Sequence, residues 1–153
     1  MLPDATVVKT ALSAAGVSGS EIEETMLGLV CRVAPPDAAP ALGALKASEL
    51  GFSMLVDLLG TDTGEGIEIV YHLRSFSRDE EVFVKTSLEY DATLASVWEV
   101  YPAALMPERE TAELFGLTLT GHPNPKRLLT IDGVPPLLRK SVPVRTPEEM
   151  RDR

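Results

Sequence analysis

Apolar residues recur along this chain with two different periods, and each change of period marks an element. Val7, Val8, Ala11, Leu12 and Ala15 fall at helical spacing and predict a first helix over 4–15. Asp4 supplies its N-cap and Gly16 a left-handed stop. Two short strands are predicted at 21–27 and 29–34, the second with Leu29, Cys31 and Val33 on one face. Pro35-Pro36-Asp37 opens a second helix that reaches about residue 50, with Leu42 and Leu45 as its apolar stripe and Gly51 as its end. Pro40 fits there because the first helical turn has no amide partner to lose. Period two then takes over. Phe52, Met54, Val56 and Leu58 alternate with Ser53 and Asp57 over 52–59. Ile67, Ile69, Tyr71 and Leu73 alternate with Glu68, His72 and Arg74 over 67–74, and Val82, Val84 and Leu88 share one side of 81–89.

A Gly-rich turn after Asp62 and a charged loop over 75–80 separate these three strands, which read as an antiparallel meander with one buried face. The order α-β-β-α-β-β-β, followed by C-terminal helices, predicts an α+β fold: a two-layer sandwich over a largely antiparallel or mixed sheet. Asp91 is placed to cap a short helix carrying Leu94, Val97, Trp98 and Tyr101, and a further helix is predicted over 102–115. After Gly116 regular structure fades. Pro123, Pro125, Pro135, Pro136, Pro143 and Pro147 predict an extended tail. The chain so divides into a globular domain, 1–120, and a Pro-rich C-terminal arm, 121–153. The arm by itself cannot bury enough apolar surface to become ordered.

Composition narrows the function. A chain of 153 residues, 44% hydrophobic and 24% charged, is ordinary for one globular domain. A net charge of −9 argues against nucleic acid or anionic lipid as a partner of the bulk surface. That charge is uneven: residues 1–125 hold 7 Lys and Arg against 19 Asp and Glu, and residues 126–153 hold 7 against 4. Two explanations stand, chance within a short tail or a basic arm that lies on an acidic partner. Cys31, the single cysteine, excludes an internal disulfide and a cysteine-ligated iron–sulfur cluster, and its strand-like context predicts a buried thiol. No apolar run is long enough to span a membrane and no signal peptide is visible, so a reducing cytoplasmic setting is expected.

Candidate chemistry gathers late in the chain. Glu108-Arg109-Glu110-x-x-Glu113 follows Pro107 at a helix start, where carboxylates favour the positive end of the helix dipole. Arg109 and Glu113, four apart, can meet on one face as a salt-bridged surface helix. His122 sits in a Gly-His-Pro turn with no second ligand at metal spacing, and His72 lies on the polar side of a strand. The pairs Lys126-Arg127 and Arg139-Lys140 suit carboxylates on an acidic protein face better than phosphates, because no Gly-rich loop precedes a helix. Nucleotide, nucleophile-elbow and zinc motifs do not occur.

Together these residues resemble the signature of the thirty-kilodalton (C-type) subunit family of respiratory complex I, NADH:quinone oxidoreductase. Glu108, Arg109 and Glu110 match its Glu-Arg-Glu, and Glu113, Leu114 and Phe115 its acid and two apolar positions. His122, Lys126, Leu128 and Leu129 match its later elements. The strand Ile67 to Leu73 and the run Leu137-Leu138-Arg139-Lys140 resemble further family segments. The resemblance implies a non-catalytic peripheral-arm subunit of a proton-translocating complex. Such a subunit docks the quinone-reducing, hydrogenase-like subunit and the subunit holding the terminal iron–sulfur cluster. Flavin and clusters are then expected in the partners, and no catalytic, cofactor or metal residue in this chain.

The implied location is cytoplasmic, peripheral on the inner face of the cell membrane. The implied docking motif is Glu108, Arg109, Glu110, Glu113, Phe115, His122, Lys126, Arg127, Leu128, Leu129, Arg139 and Lys140, with Phe115, Leu117, Leu119, Leu128 and Leu129 at its apolar centre. Two alternatives remain. One is an equivalent accessory subunit of an energy-converting, membrane-bound hydrogenase or formate hydrogenlyase. The other is a stand-alone soluble hydrolase using Glu108, Glu110 and His122.

Overall fold

The structure is a computed structural model that describes residues 2–143. Pro147 and the rest of the expected arm past Pro143 lie outside the described residues. Helix α1 (Ala5–Ala14) starts where the Asp4 carboxylate accepts the Thr6 amide at 2.7 Å. The hairpin β1 (Glu21–Thr25) and β2 (Gly28–Arg32) follows. A single 3-10 turn over Pro35–Asp37 then leads into α2 (Ala38–Ala47). Next come β3 (Met54–Asp62), β4 (Ile67–Ser75) and β5 (Glu80–Leu88), as the alternation predicts. These strands form one sheet in the order β1-β2-β5-β4-β3, antiparallel except where β2 runs parallel to β5. The fold is the expected α+β sandwich with a mixed sheet.

One face of the sheet is sealed. Ile69, Tyr71 and Leu73 of β4, Val82 and Val84 of β5, and Leu29 and Cys31 of β2 are buried in one core with Val8, Leu12, Leu42 and Leu45 of the helices. Burial pushes the Cys31 thiol up to about 12, so it stays protonated and unreactive. The opposite face is polar and half-buried. There Glu68 pairs with Arg32 and Lys85 at 3.1 and 3.0 Å, and His72 stacks on Phe83 with its Nε2 at 3.1 Å from Glu81.

The structure departs from the expected pattern in two places. Along β3 the buried residues include Leu55 and Leu58, while Met54 and Val56 are exposed. The cause is a bulge: Leu55 pairs with Leu73 but Asp57 pairs with His72, so Val56 is an extra residue and the facing inverts. No helix forms over 91–101. Asp91 has a left-handed φ of 61°, whereas an N-cap needs extended backbone. Instead β6 (Thr93–Ala95) pairs with β7 (Thr118–Thr120) in a small parallel sheet. Helix α3 (Leu105–Phe115), after a 3-10 turn over Pro102–Ala104, packs so closely on β3 that a Cβ at Gly60 would lie 2.5 Å from the Phe115 ring.

Candidate functional site

Helix α3 carries the Glu-Arg-Glu pattern, and two of its carboxylates point inward. Glu108 is fully buried and Glu113 is 8% exposed, so the salt-bridged surface helix expected from spacing is overturned. The reason is position: α3 is covered on one side by β3 and on another by the chain that returns after β7. Arg109 does not pair with Glu113. Its Nε donates to the Lys126 carbonyl and its Nη2 to the Arg127 carbonyl, both at 2.7 Å.

Glu108 ties together three separate segments. It accepts the Val97 amide at 2.7 Å and the Ser96 hydroxyl at 2.5 Å, and lies 3.8 Å from His122 Nε2. Burial raises its pKa above the ordinary carboxylate value, and the Ser96, Val97 and His122 contacts only partly offset that. His122 is fixed in one tautomer. Its Nδ1 accepts the Asn124 amide at 3.0 Å, so Nε2 carries the hydrogen and donates to the Leu105 carbonyl at 2.9 Å. Above this cluster the Trp98 indole donates to the Gly121 carbonyl at 2.9 Å. The Tyr71 hydroxyl, buried in the core, has no hydrogen-bond partner among the described residues, and desolvation together with the Glu108 charge pushes its pKa up.

Glu113 grips the arm. Its two oxygens accept the amides of Leu128, Leu129 and Thr130 at 2.6, 3.0 and 2.5 Å, and also the Thr130 hydroxyl. Three successive amides aimed at one carboxylate form an anion nest. Desolvation works to raise the Glu113 pKa, but the Thr130 hydroxyl and the three amides outweigh it and hold the group at about 2. Arg127 stands beside the nest. It bonds the Thr130 hydroxyl and donates to the Val134 carbonyl at 2.7 Å.

A second fastening lies at the C-terminal end of α3. Gly116 ends the helix with a φ of 72°, and Arg139 bonds the Phe115 and Gly116 carbonyls at 2.6 and 3.1 Å. A cation on the last carbonyls of a helix also complements its dipole. The same guanidinium reaches Asp91 at 2.8 Å and lies over the Tyr90 ring. Next to it Asp62 accepts the Tyr90 hydroxyl and the amides of Gly64 and Lys140, and these bonds, Tyr90 first, lower its pKa.

The expected motif residues therefore divide. Glu108, Arg109, Glu113, His122, Arg127 and Arg139 come together around α3 through bonds within the chain. Phe115 and Leu117 are buried in the chain's own core, Leu128 is half-buried, and Leu129 is 60% exposed. Glu110, Lys126 and Lys140 are exposed. Ser96, Asp62, Tyr90 and Asp91 join the site although the sequence does not mark them as part of it. Only Asp62, at the head of a Gly-rich turn, carries a local signal that could have found it. Among the described residues no three His, Cys, Asp or Glu side chains are grouped to hold a metal ion, and no helix is long and apolar enough to cross a membrane.

The chain is similar to known proteins over much of its length. The NADH-quinone oxidoreductase C subunit of Phenylobacterium zucineum is 38% identical over 107 residues, 66% of this chain and 50% of that protein. The corresponding protein of Ruegeria pomeroyi is 33% identical over 126 residues, 78% of this chain and 62% of the relative. This chain thus spans about half the length of several curated relatives that it matches. Among solved structures, a chain of the membrane-bound sulfane sulfur reductase, an archaeal respiratory membrane complex, superposes with a TM-score of 0.69. The two are 27% identical, and the match covers 84% of this chain and 76% of that one. The model of the family described as respiratory-chain NADH dehydrogenase, 30 Kd subunit, matches residues 31–148, and this chain belongs to that family.

Proposed function

We propose that this chain is a non-catalytic peripheral-arm subunit of a proton-translocating NADH:quinone oxidoreductase. In this reading it seats the quinone-reducing, hydrogenase-like subunit against the subunit holding the terminal iron–sulfur cluster. Flavin and clusters belong to those partners, and this chain positions them without carrying electrons. It sits at the cytoplasmic face of the cell membrane as a peripheral part of the complex. The body, 1–120, and the arm, 121–153, are two functional parts of one docking plate.

One observation carries this reading: Glu113 holds three consecutive arm amides, so the signature helix serves to fasten the arm. Arg109 and Arg139 add to the same attachment. Such bonds build a surface of defined shape. The hydrolase reading lacks comparable support. Glu108 and His122 direct their hydrogen bonds to Ser96, Val97, Leu105 and Asn124, and Glu110 lies about 200° around α3 from Glu108. The likeness to a chain of a sulfane sulfur reductase, a respiratory membrane complex of another kind, keeps a second reading open, an equivalent accessory subunit of a membrane-bound complex such as an energy-converting hydrogenase or formate hydrogenlyase.

The test is recovery of the tagged chain from its host's membranes in mild detergent. The hydrogenase-like and iron–sulfur subunits should accompany it through an interface above about 1,000 Å². NADH:quinone reductase activity in the recovered complex selects the first reading, and a nickel-site subunit selects the second. The chain purified alone should show no flavin or iron–sulfur absorbance. A tagged chain that repeatedly emerges alone from intact membranes defeats both.

A further inference from the structure

Most charged residues of the signature are used within the chain; the side chains of Glu110 and Lys126 are not, and of these two Glu110 stands on α3 itself. Glu110 is exposed there and has no hydrogen bond or ion pair among the described residues. It lines a groove between α3 and the edge strand β3, with Asp57 as a second carboxylate. Asp57 accepts only the Leu58 amide, at 2.8 Å, and no cation stands beside it among the described residues. The apolar part of its lining comes from three segments: Leu59 of β3, Pro107 and Leu114 of α3, and Leu138 of the arm. Leu59 and Leu138 are 50% and 53% exposed. The Leu138 amide donates to the Leu114 carbonyl at 3.0 Å, so the fold of the arm itself completes the groove. β3 is an edge strand without Lys or Pro, guarded only by the bulge at Val56 and the Asp57 carboxylate.

We propose that this groove seats a segment of a neighbouring subunit that presents a Lys or Arg between aliphatic side chains. The proposal rests on the docking role above and assigns it a face. Two carboxylates without a cation, set among apolar side chains, match a cationic head on an apolar stem. A second copy of this chain fits poorly, since its net charge is −9 and it would bring the same carboxylates to the same place.

The experiment uses the full chain in its host complex, with a photo-crosslinking amino acid at Leu59 or Leu138 and, for comparison, at Val70 on the open sheet face. Crosslinks from 59 and 138 should reach one partner segment that contains a Lys or Arg flanked by aliphatics. Glu110→Lys should lower recovery of the complex by at least about tenfold. The melting temperature of the isolated chain should not change. Reversing the charge of the crosslinked partner residue should restore recovery. The proposal is overturned by wild-type recovery with Glu110→Lys, by crosslinks to a second copy of this chain, or by crosslinks that arise only from Val70. That last outcome leaves the docking role standing. Absence of any complex around the wild-type chain would remove both.

Discussion

Beneath α1 and α2 the sheet is closed by apolar side chains: Leu12, Leu42 and Leu45 share a core with Ile69, Leu73 and Val84. The arm is held in another way. At 128–130 the main grip is one carboxylate taking three amides and a hydroxyl, and at 139 it is one guanidinium on two helix carbonyls. Burial is non-directional and shared among many residues, so the body tolerates imperfect contacts. Carboxylate–amide bonds are directional and few, so the arm depends on single atoms. A segment rich in Pro, with Ile131 and Leu137 exposed, gains a defined course this way without a core of its own.

The contrast predicts a graded set of effects. Ile69→Ala, in the centre of the buried face, should cost about 2–5 kcal/mol and lower the urea midpoint of the whole domain. Gly60→Val sets a side chain into the Phe115 ring and should cost about 1–3 kcal/mol. Hydrogen exchange should then locate the damage at the α3–β3 contact. Glu113→Ala should leave the urea midpoint of the body nearly unchanged and speed exchange of the Leu128, Leu129 and Thr130 amides by at least about tenfold. If it instead unfolds the entire chain, body and arm are one energetic unit and the comparison fails.

Acidity separates the two buried carboxylates more gently. Glu113 has a depressed pKa, so its contribution is complete above the ordinary value of 4.5 and is lost as pH falls toward about 2. Exchange at 128–130 should quicken across that window. Glu108 has a raised pKa, so its contribution is complete below 4.5 and is lost as pH rises through the folded value. Glu108→Gln should therefore gain on the wild type as pH rises from about 4 to about 7, read as melting temperature; a constant difference would contradict the sign. The smallest effect belongs to the open sheet face, where Glu81→Gln breaks partly exposed pairs with Arg74 and His72 and should cost less than about 1 kcal/mol.

How much of the fold was legible in the sequence depended on the range of the interaction. The alternation over 67–74 and 81–89 needed only neighbours to be interpreted, and β4 and β5 follow it. The same rule failed on β3, because one extra residue at Val56 inverts the facing and nothing local announces a bulge. It failed again over 91–101, where pairing with β7, about 25 residues further along the chain, prevailed over a short helix. Spacing on α3 brought Arg109 and Glu113 to one face, yet both turned to the arm, whose carbonyls and amides arrive from residues 126–130.

Periodicity, punctuation by Gly and Pro, and the run Glu108 to Leu129 were enough to determine the layers, most of the element order and the family, since each is written in residues close along the chain or in their identity alone. Which charged groups face inward, and that Glu110 and Asp57 line one groove, was decided by tertiary structure. Such pairings join segments tens of residues apart, and a linear pattern records the side chain but not the partner that folding brings to it.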